Sequence, residues 1–466
     1  MSSPASPTPV EGAPPERVHL ISLGCPKNRV DSEVMVGKLR TGPFELVDAP
    51  DDADVIVVNT CSFIQPATEE SIDTVLEMAK FKEGGQCRKL VVTGCMVQRY
   101  GTALESELPE VDFFLGTGEY HRIDEVLSAR AKQGPRSFVD TPLYIHDELA
   151  PRVNSWRPHS AYLKISEGCN HRCSFCIIPT LRGRLRSRTI PSLVTEAEAL
   201  VAQGVVELNL VSQDSTAYGR DLGDGTDLGQ LLRALARIDG LAWIRLHYAY
   251  PIGLPDSLLR AIAEEPKVVP YLDMPLQHAS GPMLKAMRRG VTRAGQERIL
   301  DRVRRYVPDI AVRTTFIVGF PGETEEDFEV LVDFVKQQRF DRVGVFTYFQ
   351  EDGTHAATLP NQVPEDVRKA RQARLMEVQA AISKASNQAL IGQERMVLVD
   401  GPAQEDDRIL AGRLATQAPE VDGQVLLDEA DEEVRPGQLR RVRITAAAEY
   451  DLVGRVVDAP AHAEEG

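Results

Sequence analysis

Three cysteines, Cys169, Cys173 and Cys176, stand in the run EGCNHRCSFC directly after the apolar stretch AYLKIS, Ala161 to Ser166. A strand that ends in a thiol-rich loop constrains the fold more than any other feature, because it opens a long series of strand and helix signals. Five further candidate strands follow: VELNLVS (Val206 to Ser212), WIRLHY (Trp243 to Tyr248), YLDMP (Tyr271 to Pro275), VRTTFIV (the Arg313 region to Val318) and RVGVFTY (Arg342 to Tyr348). Amphipathic segments such as LVTEAEALVAQG and EEDFEVLVDFVKQQ separate them. Six βα units predict an α/β domain that is an incomplete relative of the eight-unit barrel, a partial (β/α)6 barrel with its active site at the carboxyl ends of the strands. A helical stretch from Pro364 to Leu390 closes it.

Upstream, from Arg17 to about Arg130, short apolar runs alternate with helical stretches: RVHLISL, ADVIVVN, RKLVVTG and VDFFLG. This rhythm predicts an open parallel sheet with helices on its faces. A cysteine follows three of these four strands: Cys25 in LGCPKN, Cys61 in NTCSF and Cys95 in TGCMVQ. Loops at the carboxyl ends of parallel strands lie side by side, so these three thiols are expected to converge. Cys87 precedes its strand and is read as an ordinary thiol. A linker carrying Pro135, Pro142, Pro151 and Pro158 joins the two series.

Beyond Gln388 the pattern changes to short alternating runs split by Gly, Pro and Asp: MVLVDG, RILAGRLA, QVLLD, LRRVRIT and LVGRVVD. They predict a small antiparallel β-barrel. The expected organisation is a disordered tail over 1–16, an N-terminal domain over 17–131, a barrel-type core over 155–386 and the small barrel over 388–459. The tail, MSSPASPTPVEGAPPE, has neither the basic start nor the apolar stretch of a secretory signal. No apolar run approaches the length that spans a bilayer, so no membrane role is expected.

A long chain with seven cysteines and no export signal uses them as metal ligands or catalytic groups sooner than as disulfides. Thiolates are the usual ligands of iron-sulfur clusters, and a C-x3-C-x2-C loop holds three irons while leaving a fourth open. A structural zinc site is the alternative, but it takes four protein ligands, and His171 is placed awkwardly for that. Cys25, Cys61 and Cys95 repeat the pattern of three ligands without a fourth. Buried free thiols are commonly inert, and what raises these three is their position after the strands.

The loop resembles that of the radical S-adenosylmethionine superfamily, in which the open iron chelates the amino and carboxylate groups of the cofactor's methionine and an electron cleaves its sulfonium to give a deoxyadenosyl radical. Phe175 then corresponds to an aromatic position near that cofactor, although plain core packing accounts for it equally well. Taken together, LGCPKN, NTCSF, TGCMVQRY, EGCNHRCSFCIIP and VGFPGET resemble the methylthiotransferase family from about Arg17 to Asp458. The resemblance implies an auxiliary 4Fe-4S cluster on Cys25, Cys61 and Cys95, and a radical S-adenosylmethionine 4Fe-4S cluster on Cys169, Cys173 and Cys176. It also implies a C-terminal TRAM barrel, a cytoplasmic location and an external, flavodoxin-like electron donor. One S-adenosylmethionine would methylate a sulfur on the auxiliary cluster and a second would be reductively cleaved.

Within that family some enzymes modify tRNA adenosine and others an aspartate of ribosomal protein S twelve. The phrases SQDSTAYG, RLHYAYP and YLDMPLQHAS resemble the second group. Counted from Gln388 onward, 17 Asp and Glu stand against 8 Lys and Arg, which disfavours an RNA partner and favours a basic one. The acidic run from Asp428 to Glu433 can equally be a solvated loop. The alternatives are a tRNA adenosine methylthiotransferase and a noncatalytic iron-sulfur adaptor of ribosomal components. Gly319, Pro321 and Gly322 read as a turn or a cofactor loop; Gln213, Asp214, Gln277 and His278 as site-facing or structural. Arg182, Arg184, Arg186 and Arg188 read as anion contacts or solvated side chains.

Overall fold

The computed structural model describes residues 14–128, 135–403, 406, 408–428 and 433–457. Most of the expected tail, and Glu429 to Glu432 of the acidic run, lie outside the described residues. The chain divides into two compact units, one of Met1–Ser155 with Ile177–Arg184, the other of Trp156–Cys176 with Leu185–Gly466.

The first unit is built on a parallel sheet of β1 (Glu16–Ser22), β2 (Phe44–Leu46), β3 (Val55–Thr60), β4 (Lys89–Gly94), β5 (Phe113–Leu115) and β6 (Ser137–Phe138), in the order β2-β1-β3-β4-β5-β6. The expected runs form β1, β3, β4 and β5. β2 and β6 are edge strands of three and two residues, too short to leave an apolar signature. Every residue of β3 is buried. Alternate residues explain this: Ile56 and Val58 pack into one apolar cluster and Val55 and Val57 into another, so both faces are covered. The proline-bearing segment after β6 is tied down within the unit. Arg152 reaches the buried Glu33 at 2.6 Å, and the backbone N–H of Ser155 donates to the same carboxylate at 3.0 Å.

In the second unit β7 (Ser160–Lys164), β8 (Ser166–Glu167), β9 (Arg186–Ser187), β10 (Glu207–Val211), β11 (Trp243–Leu246), β12 (Val268–Asp273), β13 (Ala311–Val318) and β14 (Arg342–Thr347) follow in turn. Six of them form one open parallel sheet, β14-β13-β12-β11-β10-β7, the partial barrel expected from the sequence. β8 and β9 make a short antiparallel ribbon whose strands flank the cysteine loop in sequence. Helix starts follow capping chemistry: Thr189 and Thr292 accept from backbone N–H groups, and Asp227 and Thr324 open reciprocal capping boxes. Helix Glu365–Gln388 closes the series.

The small barrel is β15 (Glu394–Pro402), β16 (Leu410–Leu414), β17 (Val425–Leu427), β18 (Leu439–Ala447) and β19 (Leu452–Val456), closed in the order β15-β16-β17-β19-β18. Its neighbours are antiparallel except β17 and β19, which pair in parallel. It docks toward the amino ends of the parallel strands, where Leu398 and Ala418 share an apolar cluster with Trp243, Val269, Tyr271 and Ala311. Beside that cluster lies a buried charge network. Arg413 binds Glu207 at 2.7 Å and Asp400 at 2.6 Å, Arg245 binds Glu207 at 3.2 Å, and the Tyr271 hydroxyl donates to Asp422 at 2.8 Å.

Candidate metal centres

Cys25, Cys61 and Cys95 gather at the carboxyl ends of β1, β3 and β4. Cys25 caps helix Pro26–Arg40, whose proline fixes the first turn, and Cys95 begins helix Cys95–Tyr100. The approach is close because of glycine. Gly24 has φ +87°, and a Cβ there would stand 2.7 Å from Cys61 Cβ and 3.0 Å from its sulfur. Gly94, before Cys95, has φ +99° and leaves 2.4 Å to Asn59 Oδ1. Both positions combine a left-handed backbone with contact against the neighbouring strand end, which only glycine meets without strain.

Burial pushes the Cys61 thiol up and raises Cys95 to about 12, with the other cysteines of the set adding to the rise and Arg182 opposing it. Arg182, in helix Ile178–Arg182, is itself buried. It donates to Cys95 Sγ at 3.5 Å, to Asp31 at 2.6 Å and to Asn28 Oδ1 at 2.8 Å. Arg182 thus joins the Asp31 carboxylate to the Cys95 sulfur inside the first unit.

In the second unit Cys169, Cys173 and Cys176 are half-buried on the loop that leaves the carboxyl end of β7 and β8. Burial raises Cys169 to about 11. The His171 ring stacks on Tyr250 with centroids 3.7 Å apart, and its Nε2 meets Asp214 Oδ2 at 2.6 Å. The ring is thus held between a carboxylate and an aromatic face. A cavity beside the loop is lined by Cys169, Asn170, His171, Leu185, Asp214 and Arg220, among others. Among the described residues no group of three or more His, Cys, Asp or Glu is arranged to hold a single metal ion.

Other residues named from sequence take structural partners. Phe175 is half-buried against the cluster of Met283, Met287, Phe320, Tyr348 and Ala356. Gln213 donates to Glu167 at 2.5 Å, and Glu167 also binds the buried Lys164 at 2.9 Å. His278 meets Glu323 at 2.8 Å, and Glu323 in turn binds Arg371 at 2.6 Å and accepts from the backbone N–H of Gly319. Gly319 and Gly322 both have positive φ, so VGFPGET is a turn pinned by that carboxylate. Gln277 sits at φ +73° with its backbone bridged to Phe316. Of the four arginines, Arg182 and Arg188 are buried in ion pairs, Arg188 with Glu196, while Arg184 is exposed. Sequence reasoning missed Arg289 and Tyr250, which reach the cysteine loop from more than seventy residues away; no local motif marks them.

Three family descriptions match the chain in succession: Uncharacterized protein family UPF0004 over residues 17–116, the Radical SAM superfamily over 163–335 and the TRAM domain over 391–457. The ribosomal protein uS12 methylthiotransferase RimO of Anaeromyxobacter sp. (strain K) is 55% identical over 442 residues, spanning 95% of this chain and 93% of that protein. The chain belongs to the RimO methylthiotransferase family. The RimO protein of Myxococcus xanthus (strain DK1622) is 51% identical over 451 residues, 97% of this chain and 94% of that one. Among solved structures, the radical S-adenosylmethionine methyltransferase TsrM from Kitasatospora setae, with cobalamin and a [4Fe-4S] cluster bound, superposes with a TM-score of 0.53 at 17% identity, covering 73% of this chain and 77% of that chain. That likeness shows a shared fold. Both thiol sets of this RimO family member fall inside matched regions, Cys25, Cys61 and Cys95 in the first and the loop cysteines in the second.

Proposed function

We propose that this RimO family member is a radical S-adenosylmethionine methylthiotransferase that converts an aspartate of small-subunit ribosomal protein S twelve to 3-methylthioaspartate. The observation that carries the reading is the pair of three-cysteine sets, each at the carboxyl ends of a parallel sheet, in a chain 55% identical to a RimO protein over nearly its whole length. Cys169, Cys173 and Cys176 hold one 4Fe-4S cluster, and Cys25, Cys61 and Cys95 hold the auxiliary one. Phe175 lies beside the S-adenosylmethionine site.

When bound, the clusters and S-adenosylmethionine supply hydrogen-atom abstraction from an unactivated C–H bond and a sulfur for the resulting carbon, chemistry that no side chain provides. The protein's share is to bury the thiol sets, hold arginines against them and leave one iron of each cluster without a protein ligand. The working location in this reading is the cytoplasm, as the modification of a ribosomal protein implies. A flavodoxin-like donor supplies electrons. Functional domain limits of 17–131, 155–386 and 388–459 belong to the same reading.

The small barrel bears on the choice against tRNA. Its exposed Arg441 and Arg443 both face Glu394, at 3.9 and 2.7 Å, and Arg455 lies 3.7 Å from Asp428. Although these three arginines share only two carboxylates, acidic residues outnumber basic ones 17 to 8 from Gln388 onward, a poor grip for phosphates. The test is anaerobic reconstitution followed by incubation with S-adenosylmethionine, reductant, ribosomal protein S twelve and unmodified tRNA, with mass spectrometry of each. A methylthio gain on one aspartate supports the reading; a gain on tRNA adenosine replaces the substrate, and failure to cleave S-adenosylmethionine leaves the noncatalytic adaptor. Cys173→Ala is expected to abolish deoxyadenosine formation, whereas Cys61→Ala spares it and stops thiolation.

A further inference from the structure

We propose that Arg289 raises the reduction potential of the cluster held by Cys169, Cys173 and Cys176, and thereby sets how readily that cluster takes up the electron used in cleavage. The inference rests on the assignment of those three cysteines to a cluster made above. Arg289 is 4% exposed. Its Nη1 donates to Cys173 Sγ at 3.4 Å and its Nη2 to the carbonyl of Pro275 at 2.6 Å. The guanidinium lies 4.1 Å from the Tyr250 ring centroid, and the Tyr250 hydroxyl donates back to the Arg289 carbonyl at 3.0 Å. Tyr250 is stacked in turn on His171. The side chain is therefore fixed on three sides with one edge against a ligand sulfur.

What sets Arg289 apart is its charge balance. Among the described residues no carboxylate lies within ion-pair distance of it, and its Nε is buried without a partner. The nearby acid, Asp214, is taken by His171. Arg182 provides an internal comparison: it too is buried and stands 3.5 Å from a cysteine sulfur, but Asp31 at 2.6 Å neutralises it. A buried cation without a counter-charge is costly, so Arg289 is balanced only if the thiol loop carries negative charge. An oxidised 4Fe-4S cluster on three thiolates has one net negative charge and gains a second on reduction. The added electron comes from a one-electron donor, with no bond broken and no proton required. Attraction to Arg289 is stronger in the reduced state, which moves the potential upward, as does a hydrogen bond to a ligand sulfur.

The test uses the full chain with Cys25, Cys61 and Cys95 all changed to alanine, so that only the loop cluster gives an electron paramagnetic resonance signal during potentiometric titration with dithionite. Relative to that parent, Arg289→Met is expected to lower the reduced-to-oxidised ratio at a fixed potential about tenfold, a midpoint drop of about 59 mV for one electron. Arg289→Lys, which keeps the charge, should recover most of the shift. Iron and sulfide contents equal to the parent's establish that loading is intact. If the methionine variant does not load, Arg289→Gln provides the same comparison while keeping a donor. A midpoint unmoved in the loaded variant overturns the proposal. A parent that forms no 4Fe-4S signal on the loop cysteines refutes the cluster assignment itself, an outcome visible before any Arg289 variant is made.

Discussion

Arg413 of the small barrel places its guanidinium 2.7 Å from the carboxylate of Glu207, the first residue of β10, with both side chains almost wholly buried. The same guanidinium reaches Asp400 at 2.6 Å, and Arg245 shares Glu207. One arginine therefore neutralises a carboxylate from the parallel sheet and another from the barrel, which couples the two elements electrostatically at the amino ends of the strands.

Removing it should cost more than any surface pair. Arg413→Met leaves Glu207 and Asp400 sharing weaker partners in a dry environment, and breaking such a pair typically costs about 3–5 kcal/mol. A corresponding drop in the denaturant midpoint of the second unit is expected. Arg374→Ala, whose pairs with Glu325 and Glu329 are half-exposed, should change it by less than about 1 kcal/mol. Chemical denaturation followed by tryptophan fluorescence checks both, since Trp156 and Trp243 lie in that unit.

The same network predicts acid sensitivity. Burial alone would push Glu207 up, but Arg413 and Arg245 overcome it and hold the group at about 2, against an ordinary value of 4.5. Asp400 is likewise held below the carboxylate range, burial being outweighed by His159 and Arg413. A depressed folded value means that the stabilisation is complete above pH 4.5 and is lost as pH falls toward 2. From Glu207 alone the loss is roughly 3 kcal/mol over that window. Glu207→Gln should flatten the slope; an unchanged stability profile between pH 5 and 3 would contradict the pairing.

Gly24 offers a test of the first thiol set that leaves the second intact. Gly24→Ala puts a methyl 2.7 Å from Cys61 Cβ on a backbone that disfavours side chains. Either the loop or Cys61 must shift. Iron and sulfide per chain should fall toward the content of one cluster, while deoxyadenosine formation persists. Full loading of both clusters in this variant would show that the approach of the Cys25 loop to Cys61 is not needed for ligation.

Cluster assembly should release protons. Burial holds the Cys95 thiol at about 12 in the metal-free protein, so it is protonated at neutral pH and must lose its proton to bind iron. From this thiol alone, affinity is expected to rise about tenfold per pH unit up to the thiol's own value. Reconstitution in weakly buffered solution with a pH indicator measures the release, and apparent iron affinity that is flat between pH 7 and 9 would refute it.

The sequence by itself determined the strands and the thiols that follow them. The run VIVV of β3 is apolar throughout because both faces of that parallel strand are covered, and that signal is local, whereas ELNLV buries Glu207 and Asn209 among its apolar residues. Cys25, Cys61, Cys95 and the loop cysteines were legible for the same reason, since each stands where a strand ends. The edge strands β2 and β6 escaped because two or three residues carry no periodicity. What only the tertiary structure decided are contacts between residues far apart in the chain: Arg289 against Cys173, Arg182 between Asp31 and Cys95, and Arg413 between Glu207 and Asp400. The segment Ile177–Arg184 follows the loop cysteines directly yet packs in the first unit, where it delivers Arg182 to Cys95. An arginine in a sequence reads as a solvated surface group; whether it is buried, and whether a carboxylate or a sulfur meets it there, depends on how distant elements pack and not on its neighbours in the chain.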